Sequence, residues 1–496
     1  MASTFRNVTL LGLIAAGAVT ACVNKSDSSS SAQADAVSPP DVKLATFDYE
    51  VDTTMLKSLG KRIGCGDAAR YVRFPRDGSL KNAIKAVMTS GRAYRSFQSE
   101  IADTATAAAA CGDMPREADK NAGIKHLLEV ARKVSPCAAQ GCAGGLTFIM
   151  LGGLGGQFDG DGPWAENRAA WKALATTDAV PHRRRADGSI DSSLRVWRLD
   201  AERSYQPDSD NIASLQQKLA ALEAAEPSSY AHQYFFVGYS KGGPTGIHML
   251  GSSKELREKT LALMPLNAPL AGSVVFDVAG EQLKSPVLAH ANLANVIEPA
   301  VLAQLQNLPL AYLLGGATKK EDLQYVATFS GDFIRGVTSL SVPERKKYLY
   351  EWMPAHDFTR SSGKAIPVLQ VAGLIDLVDL RPLPHVTYKD GKVAMKEAPN
   401  TLDDFKQTIF APTFSKFPLS DTIVSLEHSA IPRNAFVNGL APTLHAVLSL
   451  DHLRVRMRPR QGDPVPYLDI ADALMDSAAT SIEAQMSAPG AQGGTR

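Results

Sequence analysis

The sequence predicts an α/β fold in which a mostly parallel sheet is flanked by helices, and three observations predict it. First, short apolar runs recur from Leu146 onward: Thr147 to Leu151, Leu194 to Leu199, Tyr234 to Val237, Thr260 to Leu266, Pro367 to Ala372 and Leu444 to Leu450. Second, stretches of helical period separate them. Over Ile212 to Ala225, Leu215, Leu219 and Leu222 share one face, and Asp210 or Asn211 stands where a cap is expected. Strands alternating with helices read as βαβ units, which pair their strands in parallel. Third, a glycine-bracketed serine, Gly238-Tyr239-Ser240-Lys241-Gly242, directly follows one apolar run and precedes the helical segment Pro244 to Gly251.

The chain has 496 residues and a formal net charge of +1, from 52 basic and 51 acidic side chains. Its length is ample for a large core. The charge balance gives no electrostatic reason to expect nucleic acid as a partner. The basic run His182-Arg183-Arg184-Arg185, next to Asp187 and Gly188, reads as a solvated loop.

The first residues read as an export signal. Arg6 supplies positive charge, Leu10 to Val19 is an apolar run too short to span a membrane, and Val19-Thr20-Ala21-Cys22 follows. Residues 1–21 are therefore expected to be a signal peptide. Residues 22–43, rich in Ser, Ala and Pro, cannot bury enough apolar surface to fold and read as a tether. Residues 44–143 form an Ala-rich helical N-terminal extension, helical over Ser99 to Ala110 and Ala122 to Val134. Residues 144–485 hold the α/β domain, and residues 486–496 read as a frayed tail. Between 277 and 365 the strand rhythm breaks for a helical insertion dense in Leu and Val, which is expected to cap the active edge of the sheet.

Apart from Cys22, four cysteines remain, Cys65, Cys111, Cys137 and Cys142, an even number that suggests two disulfides in an oxidising compartment. Of the three possible pairings, the closeness of Cys137 and Cys142 favours a local loop, which leaves Cys65 with Cys111. A zinc site is the rival, but no His lies at the usual spacing.

The chemistry starts at Ser240. A serine on a sharp strand-to-helix turn takes strained dihedrals, and only small residues two before and two after let strand and helix approach closely enough. The turn exposes the hydroxyl at a helix N-terminus, where developing negative charge is favoured. A hydroxyl near neutrality needs a base, and that base needs a carboxylate. His126, His182 and His232 precede Ser240. His248 falls on the following helix, His290 and His356 in the insertion, and His385 in a polar loop. Of His428, His445 and His452, the last lies just past the final strand, where a catalytic loop is expected, whereas His445 lies inside that strand.

These pieces resemble the α/β-hydrolase superfamily, in particular bacterial lipases and esterases, over Leu146 to Met457. Leu151-Gly152-Gly153-Leu154-Gly155-Gly156 looks like the lipase strand-end motif Val-His-Gly-Leu-Gly-Gly, with Gly152 in place of His. The serine elbow is the second piece. Leu266-Asn267-Ala268-Pro269-Leu270-Ala271-Gly272-Ser273 resembles the lipase segment Gly-Thr-Pro-His-x-Gly-Ser. Ser420-Asp421-Thr422-Ile423-Val424, followed by Asp451-His452-Leu453, is similar to Asn-Asp-Gly-Leu-Val followed by a His-Leu pair, with Thr422 for Gly.

The resemblance implies an α/β-hydrolase fold and a Ser240–Asp421–His452 triad, in the order serine, acid, histidine. Asp376 is the alternative acid, since it comes at once after the Pro367 to Ala372 run. Local sequence favours Asp421. By the same resemblance the oxyanion hole takes the backbone N–H groups of Leu154 and Lys241. A nucleotide-loop reading of Gly152 to Gly156 fails because Phe158 stands where Gly is needed, and Asp159 and Asp161 read as a turn. No metal and no cofactor is implied.

The expected function is hydrolysis of carboxylic esters, small or lipid, through an acyl-enzyme on Ser240. A peptidase or thioesterase on the same fold, or an inactive surface lipoprotein, is the alternative. Val19-Thr20-Ala21-Cys22 resembles the lipobox of bacterial lipoproteins. It implies that Cys22 is lipidated and holds an exported protein on a membrane. Val23, not Asp, follows, which favours the outer membrane.

Overall fold

The computed structural model describes residues 53–73, 109–134 (without 110 and 113), 144–277 (without 155, 157–164, 185–189 and 227–229), 330–374, 386–395 (without 390–391), 420–452 (without 422, 433–434 and 436) and 465–487. Cys22, Cys137, Cys142, Asp376 and most of the helical insertion lie outside these residues.

In chain order the elements are helices α1 (Thr54–Ile63), α2 (Cys65–Tyr71) and α3 (Ala122–Val134), strand β1 (Gly144–Leu151), helix α4 (Ala165–Leu174), and strands β2 (His182–Arg184), β3 (Ile190–Ser192) and β4 (Leu194–Leu199). Then come α5 (Asp208–Ala224), β5 (Ala231–Tyr239), α6 (Gly242–Ser252), α7 (Lys254–Lys259) and β6 (Thr260–Leu266). After these follow α8 (Ser330–Ser339), α9 (Val342–Lys347), a π-helical turn (Tyr348–Trp352), β7 (Ile366–Gly373), β8 (Val386–Lys389), β9 (Lys392–Met395), a 3-10 turn (Leu426–His428), β10 (Leu440–Leu448) and α10 (Tyr467–Ser487).

Six strands form one sheet in the order β10-β7-β6-β5-β1-β4, and every neighbouring pair is parallel. Its four central strands, β1, β5, β6 and β7, are buried along nearly their whole length, as continuous apolar runs should be when helices cover both faces. Alternate residues feed two cores. Phe148, Met150, Phe235 and Val237 pack with α1, α3, α4 and α10, whereas Ile149, Leu151, Tyr234 and Phe236 pack with α5, α6 and the π-helical turn. This order, with a serine elbow between β5 and α6, is the α/β-hydrolase fold.

The described part of the N-terminal extension is built into the first core. Met55, Leu56 and Leu59 of α1 are fully buried. Ser58 Oγ donates to Asp476 Oδ2 of α10 at 2.7 Å, and Arg62 pairs with Asp472 at 2.8 Å. The Asp472 carboxylate also accepts the N–H groups of Gly123 and Ile124, at 3.0 Å each, at the start of α3. Burial raises Asp472 to about 6, against the pull of Arg62. Val72 bridges Leu448 antiparallel, so the extension meets the C-terminal end of β10. The Cys65–Cys111 disulfide is present, with Cα atoms 5.7 Å apart.

Several details differ from the sequence reading. His182–Arg184, read as a solvated loop, pairs antiparallel with Ile190–Ser192, because ladder hydrogen bonds come from the backbone and tolerate charged side chains. Helix α5 starts at Asp208 with Pro207 at its cap position, so neither Asp210 nor Asn211 caps it. Proline needs no N–H there, and Asp208 turns inward instead. Directly after His385, which the sequence placed in a polar loop, comes the β8–β9 hairpin. The last strand begins at Leu440 and ends at Leu448; Pro442 is tolerated because β10 is an edge strand. The C-terminal helix runs to Ser487, one residue beyond the expected start of the tail at 486.

Candidate active site

The C-terminal ends of β5, β6, β7 and β10 lie along one edge of the sheet, where a parallel α/β sheet collects functional loops. Ser240 follows β5 with φ +50°, and its N–H donates to Leu266 O of β6 at 2.8 Å. The crowding that demands small neighbours is measurable. A Cβ on Gly238 would lie 2.5 Å from Gly242 O, and one on Gly242 would lie 2.4 Å from Leu151 O. No side chain fits at either position.

Three of the residues singled out in the sequence meet here. His452 Nε2 lies 3.0 Å from Ser240 Oγ, and His452 Nδ1 lies 2.7 Å from Asp421 Oδ2. A carboxylate only accepts, so Nδ1 carries the hydrogen and the serine hydroxyl donates to Nε2. All three side chains are buried. The other Asp421 oxygen, Oδ1, accepts the N–H groups of Ile423 at 2.9 Å and Val424 at 2.7 Å. His452 N–H donates to Asp421 O at 2.7 Å, so the two loops are joined by backbone as well as side chains.

Tyr239 was not singled out by sequence reasoning. Its hydroxyl donates to His452 O at 3.0 Å, and its ring lies 5.4 Å from the imidazole. Burial, and then the charge of Asp421, raise its phenol well above the usual value, so it stays a donor. The residue between the first Gly and the Ser of Gly-x-Ser-x-Gly is free to vary, and nothing in the motif marks it.

Of the two residues assigned to an oxyanion hole, Lys241 stands at the cap position of α6 with φ −53° and ψ −28°. Leu154 follows Gly153, where an added Cβ would lie 3.1 Å from Ser240 Cβ. It packs against Phe276, Val337, Leu340, Ile423 and Val424. These join α8 of the insertion, the loop after β6 and the loop of Asp421 in one apolar cluster. At Gly152, an added Cβ would lie 2.8 Å from Asp200 Oδ1, so the Asp200 carboxyl occupies space that the histidine of the lipase motif would need.

The remaining histidines have other surroundings. His445 Nε2 lies 2.7 Å from Ser477 Oγ of α10, and His428 Nδ1 lies 2.6 Å from Ser425 Oγ. Burial lowers His428 to about 4, so it is neutral. His248 packs on Tyr348 and Trp352. Among the described residues no group of three or more His, Cys, Asp or Glu is placed to hold a metal ion.

No family model matches this chain, and no curated protein is similar to it in sequence. Solved structures are similar at low identity. A metagenomic carboxyl esterase is 15% identical over 69% of this chain and 75% of its own, with a TM-score of 0.31. A Bacillus licheniformis lipase in its mature form is 17% identical over 63% and 85%, with a TM-score of 0.31. A phospholipase from Legionella pneumophila is 11% identical over 58% and 46%, with a TM-score of 0.29.

Proposed function

We propose that the protein is a serine hydrolase that cleaves carboxylic esters through an acyl-enzyme on Ser240. The observation that carries this reading is the hydrogen-bonded chain from Ser240 Oγ through the His452 ring to Asp421. Ser240 Oγ attacks the ester carbonyl carbon while its proton passes to His452 Nε2. Asp421 stabilises the imidazolium through Nδ1–H. The carbonyl oxygen becomes an oxyanion, held by the backbone N–H groups of Lys241 and Leu154. As the tetrahedral intermediate collapses, His452 returns the proton to the departing alkoxide, which leaves as an alcohol. Water, deprotonated by His452, then attacks the acyl-enzyme and releases the carboxylic acid and free Ser240.

The lipase-like segments Leu151 to Gly156 and Leu266 to Ser273 favour an acyl or lipid ester. The test is covalent labelling with a fluorophosphonate. Peptide mapping is expected to find the adduct on Ser240, with none in Ser240→Ala. Labelling that persists in Ser240→Ala would refute the reading. Hydrolysis of p-nitrophenyl esters of graded length then sets the acyl preference.

We propose further that Cys22 is the lipidated N-terminus of an exported, membrane-held form. The short apolar run and the Val-Thr-Ala-Cys ending support this. Intact mass is expected to show a diacyl or triacyl cysteine, and an unmodified N-terminus beyond residue 22 would overturn it.

A further inference from the structure

Directly under the elbow lies a buried charged cluster for which the reaction above has no use. Its centre is Asp208, the first residue of α5, 3% exposed. Lys241 Nζ lies 3.7 Å from Asp208 Oδ1, donates to Ser204 O at 2.6 Å and also donates to Gln206 O. Thr245 Oγ1, one turn along α6, donates to Asp208 Oδ1 at 2.8 Å. Arg345 of α9 lies 3.7 Å from Asp208 Oδ2 and donates to Leu270 O at 3.2 Å. His248 Nδ1 is 3.7 Å from Oδ2 as well.

A lysine ammonium is costly to bury, and the residue after a nucleophile has no need of one for its backbone role. The side chain here runs away from Ser240 and is anchored at its far end, while the backbone N–H of Lys241 meets no acceptor among the described residues. That N–H is one of the unsatisfied donors at the start of α6, on the side where negative charge develops. A small cavity of about 20 Å³ borders Lys241, Thr245, Gly152 and Gly153, so packing is incomplete on that side, and the polar ties to Asp208 and to Ser204 O and Gln206 O hold the lysine side chain.

We propose that Asp208 is a positioning residue: by holding the Lys241 side chain and Thr245 it fixes the Lys241 N–H as an oxyanion donor. Through Arg345 the same carboxylate ties the elbow to α9, so the helical insertion bears on the geometry of the reaction. This inference rests on the reading of Ser240 as nucleophile and deepens it.

The test uses the full chain with Asp208→Asn, Lys241→Met, their double variant, and the milder Thr245→Val. The readouts are kcat and KM on a p-nitrophenyl ester, the affinity of phenylboronic acid, which forms a tetrahedral adduct on the serine, and the unfolding midpoint. Loss of a whole oxyanion donor costs roughly 100- to 1000-fold in rate, so misplacing one is expected to lower kcat by roughly 10- to 100-fold. KM should stay within about twofold, and boronate affinity should fall in step with kcat. Because both groups act through one amide, the double variant should lose no more than the worse single one. Thr245→Val, which stays nearest the native packing, should show the same pattern at a few-fold.

A folded Asp208→Asn or Lys241→Met protein with kcat and boronate affinity within twofold of wild type would overturn the proposal. So would losses that multiply in the double variant. If Asp208→Asn does not fold, Thr245→Val and Lys241→Met decide by the same criteria. Wild-type protein labelled by fluorophosphonate at Ser240, with variants of unchanged kcat, removes the positioning role and leaves the hydrolase reading standing. Absence of any Ser240 labelling in wild type removes both.

Discussion

The ends of β5 and β6 finish alike and are used differently. Ser240 and Asn267 are the two non-glycine residues with positive φ among the described residues, at +50° and +46°. Each sends its N–H to the neighbouring strand, Ser240 to Leu266 O and Asn267 to Val371 O, both at 2.8 Å. Both side chains are buried. The serine hydroxyl meets His452, whereas neither polar atom of the Asn267 amide has a hydrogen-bond partner among the described residues. A left-handed backbone costs a non-glycine residue about 1–2 kcal/mol, less for Asn. A buried amide without a partner costs a further 1–3 kcal/mol or so. The strained turn therefore belongs to the crowded C-terminal edge of a parallel sheet. What sets Ser240 apart is the partner its side chain meets.

The largest expected effect comes from Ser240→Gly. It relieves the left-handed backbone but removes the proposed nucleophile, so ester turnover should fall by at least about 10⁴-fold while the fold is kept. Turnover near wild type, measured with circular dichroism as a control, would erase the contrast with Asn267. Next is Asp421→Asn. Its carbonyl can still accept from Ile423 and Val424 while its amide faces His452 Nδ1, which forces the wrong tautomer. A loss of roughly 10⁴-fold in kcat is expected, with little change in unfolding midpoint. A loss under tenfold would break the link between Ser240 and its partners.

Asn267→Gly should do the reverse of Ser240→Gly. Releasing the unpartnered amide outweighs the added chain entropy of glycine, so stability should rise by about 1 kcal/mol with kcat within a few-fold. A fall in stability in a urea titration would mean that the amide has a buried partner, and the two strand ends would then be alike.

The smallest effect sharpens the comparison with a third buried polar group. Glu427 Oε2 has no hydrogen-bond partner among the described residues, and burial raises its carboxyl from 4.5 to about 7. The fold favours the neutral acid, so its stabilising contribution is full below about pH 4.5 and is lost as pH rises through about 7. Glu427→Gln should therefore raise the unfolding midpoint at pH 8 and change nothing at pH 4. Equal shifts at both pH values would contradict that origin.

Much of the sheet was legible because its strands are buried on both faces and read as apolar runs. The elbow was legible because the crowding at Gly238 comes from Gly242, four residues on, whereas the crowding at Gly242 comes from distant Leu151 and shows only in the fold. Asp421 was legible through its own loop, whose Oδ1 bonds reach only two and three residues ahead. Less legible was whatever depends on distant pairing. Asp208 reads as an ordinary acidic residue at a helix start, yet its partners lie at Lys241, Thr245 and Arg345. The β8–β9 hairpin did carry a signal, the Asp390-Gly391 pair standing between its strands in sequence. His182–Arg184 carried none, since its ladder is made by backbone alone. Asn267 gave no sign of its φ, which follows from where β6 ends against β7.

The interlock of α1 with α10 has a consequence for how the chain is made. Met55, Leu56 and Leu59 find their full cover only when residues 467–487 are present, and Asp472 and Asp476 supply the polar ends of that contact. The earliest described helix is thus completed by the latest one. On a ribosome working from the N-terminus, this apolar face waits in water until residues 467–487 have been synthesised. Until that segment arrives, the face of α1 is open to chaperones and proteases.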